Sequence, residues 1–332
     1  MDSSNRTALV IGITGSLGRE AAAALVRRGW QVKALHRDPA TAAAGVLLPV
    51  QWVKGDAMQM NDVVEAARGT ALIVHGANPP NYRNWRGLAL PMLDNTIAAA
   101  KANDARILMP ATIYNFGKDS ARILRENSPK APSSRKGQVR VEMELNLQKA
   151  SLFGVRSIVV RAGDFFGPGA GNSWLTRGMV RAHGRLRSVF YPGPADVGHS
   201  WAYLPDLAET MVRLVESEGP MRDYEVFHFR GHWFERGVEM AEAVCRIRAG
   251  SRRIKPFPWW AVRLSSPVVN AFREMLEMRY LWQVPLQLDN AKLRALIGAE
   301  THTPLDAALA ATLGTDMHVP EHGASAAIGG YI

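Results

Sequence analysis

The 332-residue chain is 47% hydrophobic and 21% charged, the balance of a soluble globular protein with enough length for one large α/β unit or two modest domains. Cys245 is the sole cysteine, which excludes an internal disulfide and any cysteine-built zinc or iron–sulfur centre and fits a reducing compartment. The net charge of +10 comes from scattered arginines such as Arg27, Arg28, Arg135 and Arg140; no basic block interleaves with aromatics, so no nucleic-acid partner is expected.

Taken in order, the first half alternates short apolar, β-branched runs with helical spacing. Strands are predicted at residues 8–11, 31–36, 50–53, 71–75, 106–109 and 157–161, with helices at 17–28, 62–68, 88–103 and 137–152. Strand–helix alternation at this rhythm specifies parallel pairing through right-handed crossovers. The fold class is therefore α/β: a doubly wound parallel Rossmann sheet with a smaller, irregular C-terminal region. After residue 161 the rhythm breaks. A glycine-rich loop over 163–172 is followed by helices at 174–183, 205–216, 235–248 and 259–277, strands at 188–191 and 225–229, and a loose tail from 318. The domain reading is 1–163 for cofactor binding, 164–317 for substrate and 318–332 as tail. No apolar run approaches the roughly 18 residues of a spanning helix. The first apolar run is interrupted by glycines and makes a poor export signal. No membrane partner is expected, and the cytoplasm is the expected compartment.

The sharpest local signal is Gly12-Ile13-Thr14-Gly15-Ser16-Leu17-Gly18, which leaves the first strand and opens the first helix. One glycine allows the sharp turn, a second lets a pyrophosphate approach the backbone, and a third lets helix pack on sheet. The helix N-terminus offers unpaired N–H groups and partial positive charge to phosphate. Gly12, Thr14, Gly15, Ser16, Leu17 and Gly18 are thus candidate cofactor residues. The second strand ends His36-Arg37-Asp38. An arginine there suits the 2′-phosphate of NADP, whereas a carboxylate suits the free ribose of NAD. Arg37 is the candidate selector for NADP, with help from His36 or Arg19, and Asp38 is a competitor that keeps NAD open.

With these motifs in view, the chain resembles the extended short-chain dehydrogenase/reductases, the NAD-dependent epimerase/dehydratase family, over about residues 7–313. The resemblance rests on five segments in order: the glycine motif, Gly55-Asp56-Ala57, His75-Gly76-Ala77, the loop from Arg161 to Pro168, and the run from His199 to Ala208. It implies that Asp56 and Ala57 meet the adenine and that Gly76 and Ala77 line the cofactor. It also implies a small-molecule substrate and, from helices 88–103 and 137–152, a homodimer. Family members pair a serine or threonine after the fifth strand with Y-x-x-x-K on the next helix. Here Thr112 takes the hydroxyl position, but Lys136 stands at the tyrosine and Arg140 at the lysine. Arginine's planar fork is no simple substitute for lysine, although Arg140 can still donate to the cofactor ribose. Three roles remain open: Lys136 as acid/base with a lowered pKa, Tyr114 supplying a phenol from the same side of the strand as Thr112, or NADP(H) binding without hydride chemistry, as a redox sensor or scaffold.

Asn172, Ser173, Trp174 and Tyr203 fall where relatives face substrate, with loop packing as the alternative. The aromatic stretch 259–282 suits an apolar cleft, a core or an oligomer interface. His36, His75 and His199 are too scattered for a ligand set, so no metal is expected. Ser16 lies outside any nucleophile elbow, and hydrolase chemistry is not indicated.

Overall fold

The computed structural model describes residues 6–79, 84–171, 173–180, 188–248 and 253–314. In chain order the first half forms β1 (Thr7–Ile11), α1 (Ser16–Arg27), β2 (Gln31–His36), α2 (Pro39–Gly45), β3 (Gln51–Lys54), α3 (Met60–Ala66), β4 (Leu72–His75), α4 (Trp85–Asn103) and β5 (Arg106–Thr112). The chain continues through β6 (Ile123–Leu124), α5 (Arg135–Ser151), β7 (Ser157–Ala162), β8 (Asp164–Phe166), β9 (Val189–Tyr191), β10 (His199–Tyr203), α6 (Leu204–Val215) and β11 (Tyr224–His228). It ends with β12 (His232–Phe234), α7 (Glu239–Ile247), β13 (Ile254–Pro256), α8 (Trp259–Ser265), α9 (Asn270–Glu277), β14 (Gln287–Leu288), α10 (Ala291–Ile297) and α11 (Leu305–Leu313).

Seven strands build one sheet in the order β11-β7-β5-β4-β1-β2-β3, and every pairing in it is parallel. The order turns back at β1, whose two neighbours are β2 and β4. A crevice opens there beyond the carboxyl ends of the strands. Side chains alternate across the sheet as strand geometry requires. Ala8 and Val10 enter the core shared with α1 and α6; Leu9 and Ile11 enter the one shared with α3, α4 and α5. A third apolar cluster holds the C-terminal part together around Phe166, Trp201 and Trp282. There β12, β10 and β8 form a separate three-stranded sheet.

The departures from the predicted elements have local causes. Helix α2 has no apolar stripe, being Pro-Ala-Thr-Ala-Ala-Ala-Gly. It forms because Asp38 caps it and Pro39 suits a first turn. Strand β5 runs past the predicted end at 109, through Pro110, to Thr112. The single helix predicted over 259–277 is two helices, interrupted at Pro267, because proline lacks a donor and restricts the residue before it. The helix predicted from 174 is a π-helical turn, Trp174–Met179. Residues 181–183 of that prediction and the 318–332 tail lie outside the described residues.

Candidate functional site

The turn between β1 and α1 is built by removing side chains. Gly12 has φ +88°, and a Cβ there would lie 2.7 Å from the carbonyl group of Gly76. A Cβ on Gly18 would lie 2.2 Å from Gly12 O. These two glycines therefore let β1, α1 and the turn after β4 meet backbone to backbone. The Gly15 N–H closes the turn onto Gly12 O at 3.0 Å, and the first intrahelical bond runs from Arg19 N–H to Gly15 O at 2.9 Å. The amides of Ser16, Leu17 and Gly18 precede that bond and lack intrahelical partners, as first-turn amides do. Thr14 and Gly15 are exposed at the lip. Arg19 lies against the turn at Gly169, with Nη1 3.4 Å from a Cβ placed there, rather than beside Arg37. Its Nε is buried without a hydrogen-bond partner, and among the described residues Arg19 forms no ion pair. A backbone-lined turn, a helix N-terminus and an uncommitted guanidinium fit a dinucleotide diphosphate.

At the end of β2 the structure separates the two competing residues. Asp38 is the N-cap of α2, accepting from Thr41 N–H at 3.3 Å and Thr41 Oγ1–H at 2.6 Å. Those hydrogen bonds hold its carboxyl below the usual range. His36 is occupied in the same turn: its Nδ1 lies 3.1 Å from the Asp38 amide, and its ring edge meets Trp52. Arg37 is exposed. Half-buried Asp56 caps its own turn, accepting from Met58 N–H at 3.0 Å. Asn95 Nδ2 of α4 anchors that loop by donating to Ala57 O at 2.9 Å.

Arg140 reaches the turn after β4. Its Nη2 donates to Asn78 Oδ1 at 3.4 Å, and the guanidinium stacks 4.9 Å above the Trp85 ring. The structure thus brings Arg140 to the segment that follows Gly76 and Ala77. His75, at the end of β4, is buried and donates Nδ1–H to Thr96 Oγ1 at 2.8 Å, since that hydroxyl is itself spent on Met92 O. Burial, reinforced by Arg140, pushes His75 down to about 3. It is a neutral structural base.

The three proposed reaction residues sit differently. Thr112 is nearly buried at the tip of β5, where its Oγ1 caps a 3-10 turn, Ile113–Asn115, and faces the Tyr114 amide at 3.5 Å. This turn overturns the alternation argument for Tyr114: the strand stops at Thr112, so the two side chains do not share a strand face. The Tyr114 ring instead packs against a small cluster with Phe116, Leu124 and Leu281. Lys136 lies buried in the first turn of α5, with Nζ 3.2 Å from Glu274 of α9. Burial lowers its pKa, and the carboxylates of Glu274 and Glu277 oppose that shift.

A buried ion pair and a buried acid–histidine contact were not drawn from the sequence. Arg161 and Glu144 are 0% and 1% exposed, and they meet in a two-pronged contact at 2.6 and 2.9 Å. Lys130 and Asn115 also bind the carboxylate, at 2.8 and 2.6 Å. Burial pushes Glu144 up, but Arg161 and Lys130 outweigh it and hold the carboxyl below its usual range. Arg161 also donates to His228 Nε2 at 3.1 Å; burial first, then this guanidinium, pushes the imidazole down to about 3. The second pair is Asp164 and His199, 2.9 Å apart. The His199 ring stacks on Trp282 at 4.0 Å. Arg161, Asp164 and His199 fall in segments already marked by motif, but the partners stand 17 and 35 residues apart and no local spacing links them.

Packing accounts for much of the predicted substrate set. Ser173 caps the π-helical turn, accepting from Thr176 N–H at 3.2 Å. Trp174 packs among Phe257, Trp259 and Trp282. Tyr203 is buried beside Phe166. Asn172 lies outside the described residues. Among the described residues one grouping of metal-binding types does occur: Asp206, His232 and His302 bring ligand atoms within 4.8 Å of one another. Asp206 accepts from Thr303 N–H at 2.6 Å and from its hydroxyl at 2.7 Å, so the carboxylate is employed in tethering the segment before α11 to the start of α6.

A doubly wound sheet with a glycine-lined turn at its switch point defines a Rossmann-type protein. The model of the NAD dependent epimerase/dehydratase family matches residues 8–227, and the chain belongs to that family. No curated protein matches it by sequence. Among solved structures it is similar to UDP-glucose 4-epimerase from Bifidobacterium longum in complex with NAD+ and UDP, with TM-score 0.71, 14% identity, and coverage of 92% of this chain and 97% of that one. It is similar to MoeE5 in complex with UDP-glucuronic acid and NAD, with TM-score 0.71, 16% identity, and coverage of 93% and 98%. The Bordetella bronchiseptica enzyme WbmH in complex with NAD+ gives TM-score 0.67, 18% identity, and coverage of 93% and 97%. At these identities the likeness concerns the fold. No helix among the described residues is long and apolar enough to cross a membrane.

Proposed function

We propose that the chain binds NADP(H) in preference to NAD(H) and acts as an oxidoreductase of the epimerase/dehydratase type on a small carbonyl- or hydroxyl-bearing substrate. The observation that carries this reading is the end of β2. Asp38 is spent as the cap of α2, while Arg37 is exposed and forms no ion pair among the described residues. When bound, the dinucleotide would supply a hydride donor or acceptor. Gly12, Thr14, Gly15, Ser16, Leu17 and Gly18, with Arg19, would hold its diphosphate. Arg37 would hold the 2′-phosphate, Asp56 and Ala57 would border the adenine, and Gly76, Ala77 and Arg140 would border the nicotinamide ribose. Substrate would lie between the cradle and residues 164–317, bordered by Ser173, Trp174 and Tyr203, with Asn172 part of the same assignment.

In this reading Thr112 orients the substrate oxygen and Lys136 exchanges a proton with it. The lowered pKa of Lys136 supports that role, because an ammonium nearer neutrality gives up its proton more readily. Packing of the Tyr114 ring in the Phe116 cluster makes it the weaker candidate. The Glu274 carboxylate facing Lys136 favours a second reading, a non-catalytic NADP(H) sensor or scaffold, because it stabilises the ammonium. A homodimer through α4 and α5 is consistent with the exposed Leu145 and Leu152 on and beside α5.

The test is a tryptophan-fluorescence titration with NADPH and NADH. NADPH should bind more tightly, and Arg37→Asp should abolish the preference. Equal affinities would remove Arg37 as selector, and binding of neither would end the enzyme reading. NADPH binding with no turnover on a panel of small aldehydes and ketones would favour the sensor.

A further inference from the structure

Residues 253–273 carry Arg253, Lys255, Arg263 and Arg273 and no aspartate or glutamate. Their structure sorts apolar residues into two faces. On the inner face Trp259 donates Nε1–H to Pro192 O at 2.7 Å, and Val262 is buried. On the outer face Trp260 and Leu264, one helical turn apart, are 74% and 75% exposed, and Val268 in the bend before α9 is 87% exposed. Exposed Arg263 lies between Trp260 and Leu264 in spacing, and exposed Arg253 and Lys255 belong to β13 and its approach. The first acids beyond the run do not neutralise this face: Glu274 pairs with Arg135 and Lys136, and Glu277 with Arg135. Single exposed apolar residues are ordinary. Five exposed large apolar residues, Ile254 and Val269 with those three, share one acid-free segment with four cations and call for an occupant.

We propose that this face docks on the surface of an anionic lipid bilayer. Trp260, Leu264 and Val268 enter the boundary between headgroups and acyl chains, and Arg253, Lys255, Arg263 and Arg273 pair with lipid phosphates. An indole suits that boundary, being apolar in body with one polar edge. The charge pattern selects lipid over a second copy of the chain, because a two-fold contact would set these four cations against the same four. The net charge of +10 draws the whole molecule toward such a surface. This is surface attachment without a spanning helix; it revises the expectation of no membrane partner and does not rest on the cofactor assignment.

Co-sedimentation of the full chain with vesicles at 0.1 M salt tests it. Vesicles of phosphatidylcholine with about one-third phosphatidylserine should pellet the protein, and pure phosphatidylcholine should not. Each of Lys255→Gln and Arg263→Gln should weaken partitioning about fivefold, and Trp260→Ser with Leu264→Ser should abolish it. Unchanged thermal unfolding would show that these exposed substitutions leave the fold intact. The proposal is overturned by no binding to the anionic vesicles, by binding indifferent to the serine and glutamine variants, or by self-association that the serine variant removes while vesicles have no effect.

Discussion

Around β1 and β4 the chain removes side chains; around β7 and β10 it buries charged ones. Gly12, Gly18 and Gly76 bring three backbone segments into contact and leave helix amides facing outward. Arg161–Glu144 and Asp164–His199 are instead paired in nearly full burial. The first region tolerates no added atom. The second tolerates no missing partner, because an uncompensated buried charge costs far more than the pair itself contributes. The cradle is therefore set by shape, and a wall of buried pairs by charge balance.

The strongest way to break the comparison is to fill the cradle. Gly18→Val would drive a side chain into Gly12 O, where a Cβ alone already lies at 2.2 Å. Loss of detectable NADPH binding and a clear fall in melting temperature are expected; a variant that binds normally would show that the backbones can separate. Next comes the wall. Glu144→Ala leaves Arg161 buried without its carboxylate and should cost about 3–5 kcal/mol in urea unfolding. A second change, Arg161→Met, should recover part of that loss, since an apolar replacement removes the orphaned charge.

Acid should reach the wall and the His75 anchor before it reaches the cradle. His75 and His228 are both held near pKa about 3, below the ordinary histidine value of about 6.5. Their folded pKa is depressed, so the stability they represent is present above the ordinary value and declines as pH falls toward the folded one. Glu144, also depressed, adds a further loss at lower pH with the same sign. Unfolding midpoints should therefore fall steadily from about pH 6.5 downward, and a flat profile through that window would contradict neutral, buried imidazoles. The smallest effect is expected from Asp38→Ala. Loss of the α2 cap should lower thermal stability slightly and leave the proposed NADPH preference in place; a switch in preference would mean that Asp38, and not Arg37, reads the ribose.

The parallel sheet was legible because β1, β2, β4, β5 and β7 are apolar runs bounded by glycine or helix signals, a pattern of short range. The cradle was legible for the same reason: its three glycines and its helix start lie within seven residues. Helix α2 escaped because alanine carries no amphipathic stripe and its cap is a side-chain contact. The two faces of α8 escaped because one apolar stretch from 259 to 277 does not say where Pro267 divides it or which tryptophan turns outward.

The sequence by itself determined the doubly wound class, the glycine-lined turn and the arginine at the end of β2. Only the tertiary structure decided which charges meet. It gave Glu274 to Lys136, Glu144 to Arg161 and Asp164 to His199, and it withdrew Asp38 into a helix cap. The physical reason is range: backbone conformation follows from neighbours a few residues away, whereas the state of a buried charge depends on whichever distant side chain the completed fold sets against it.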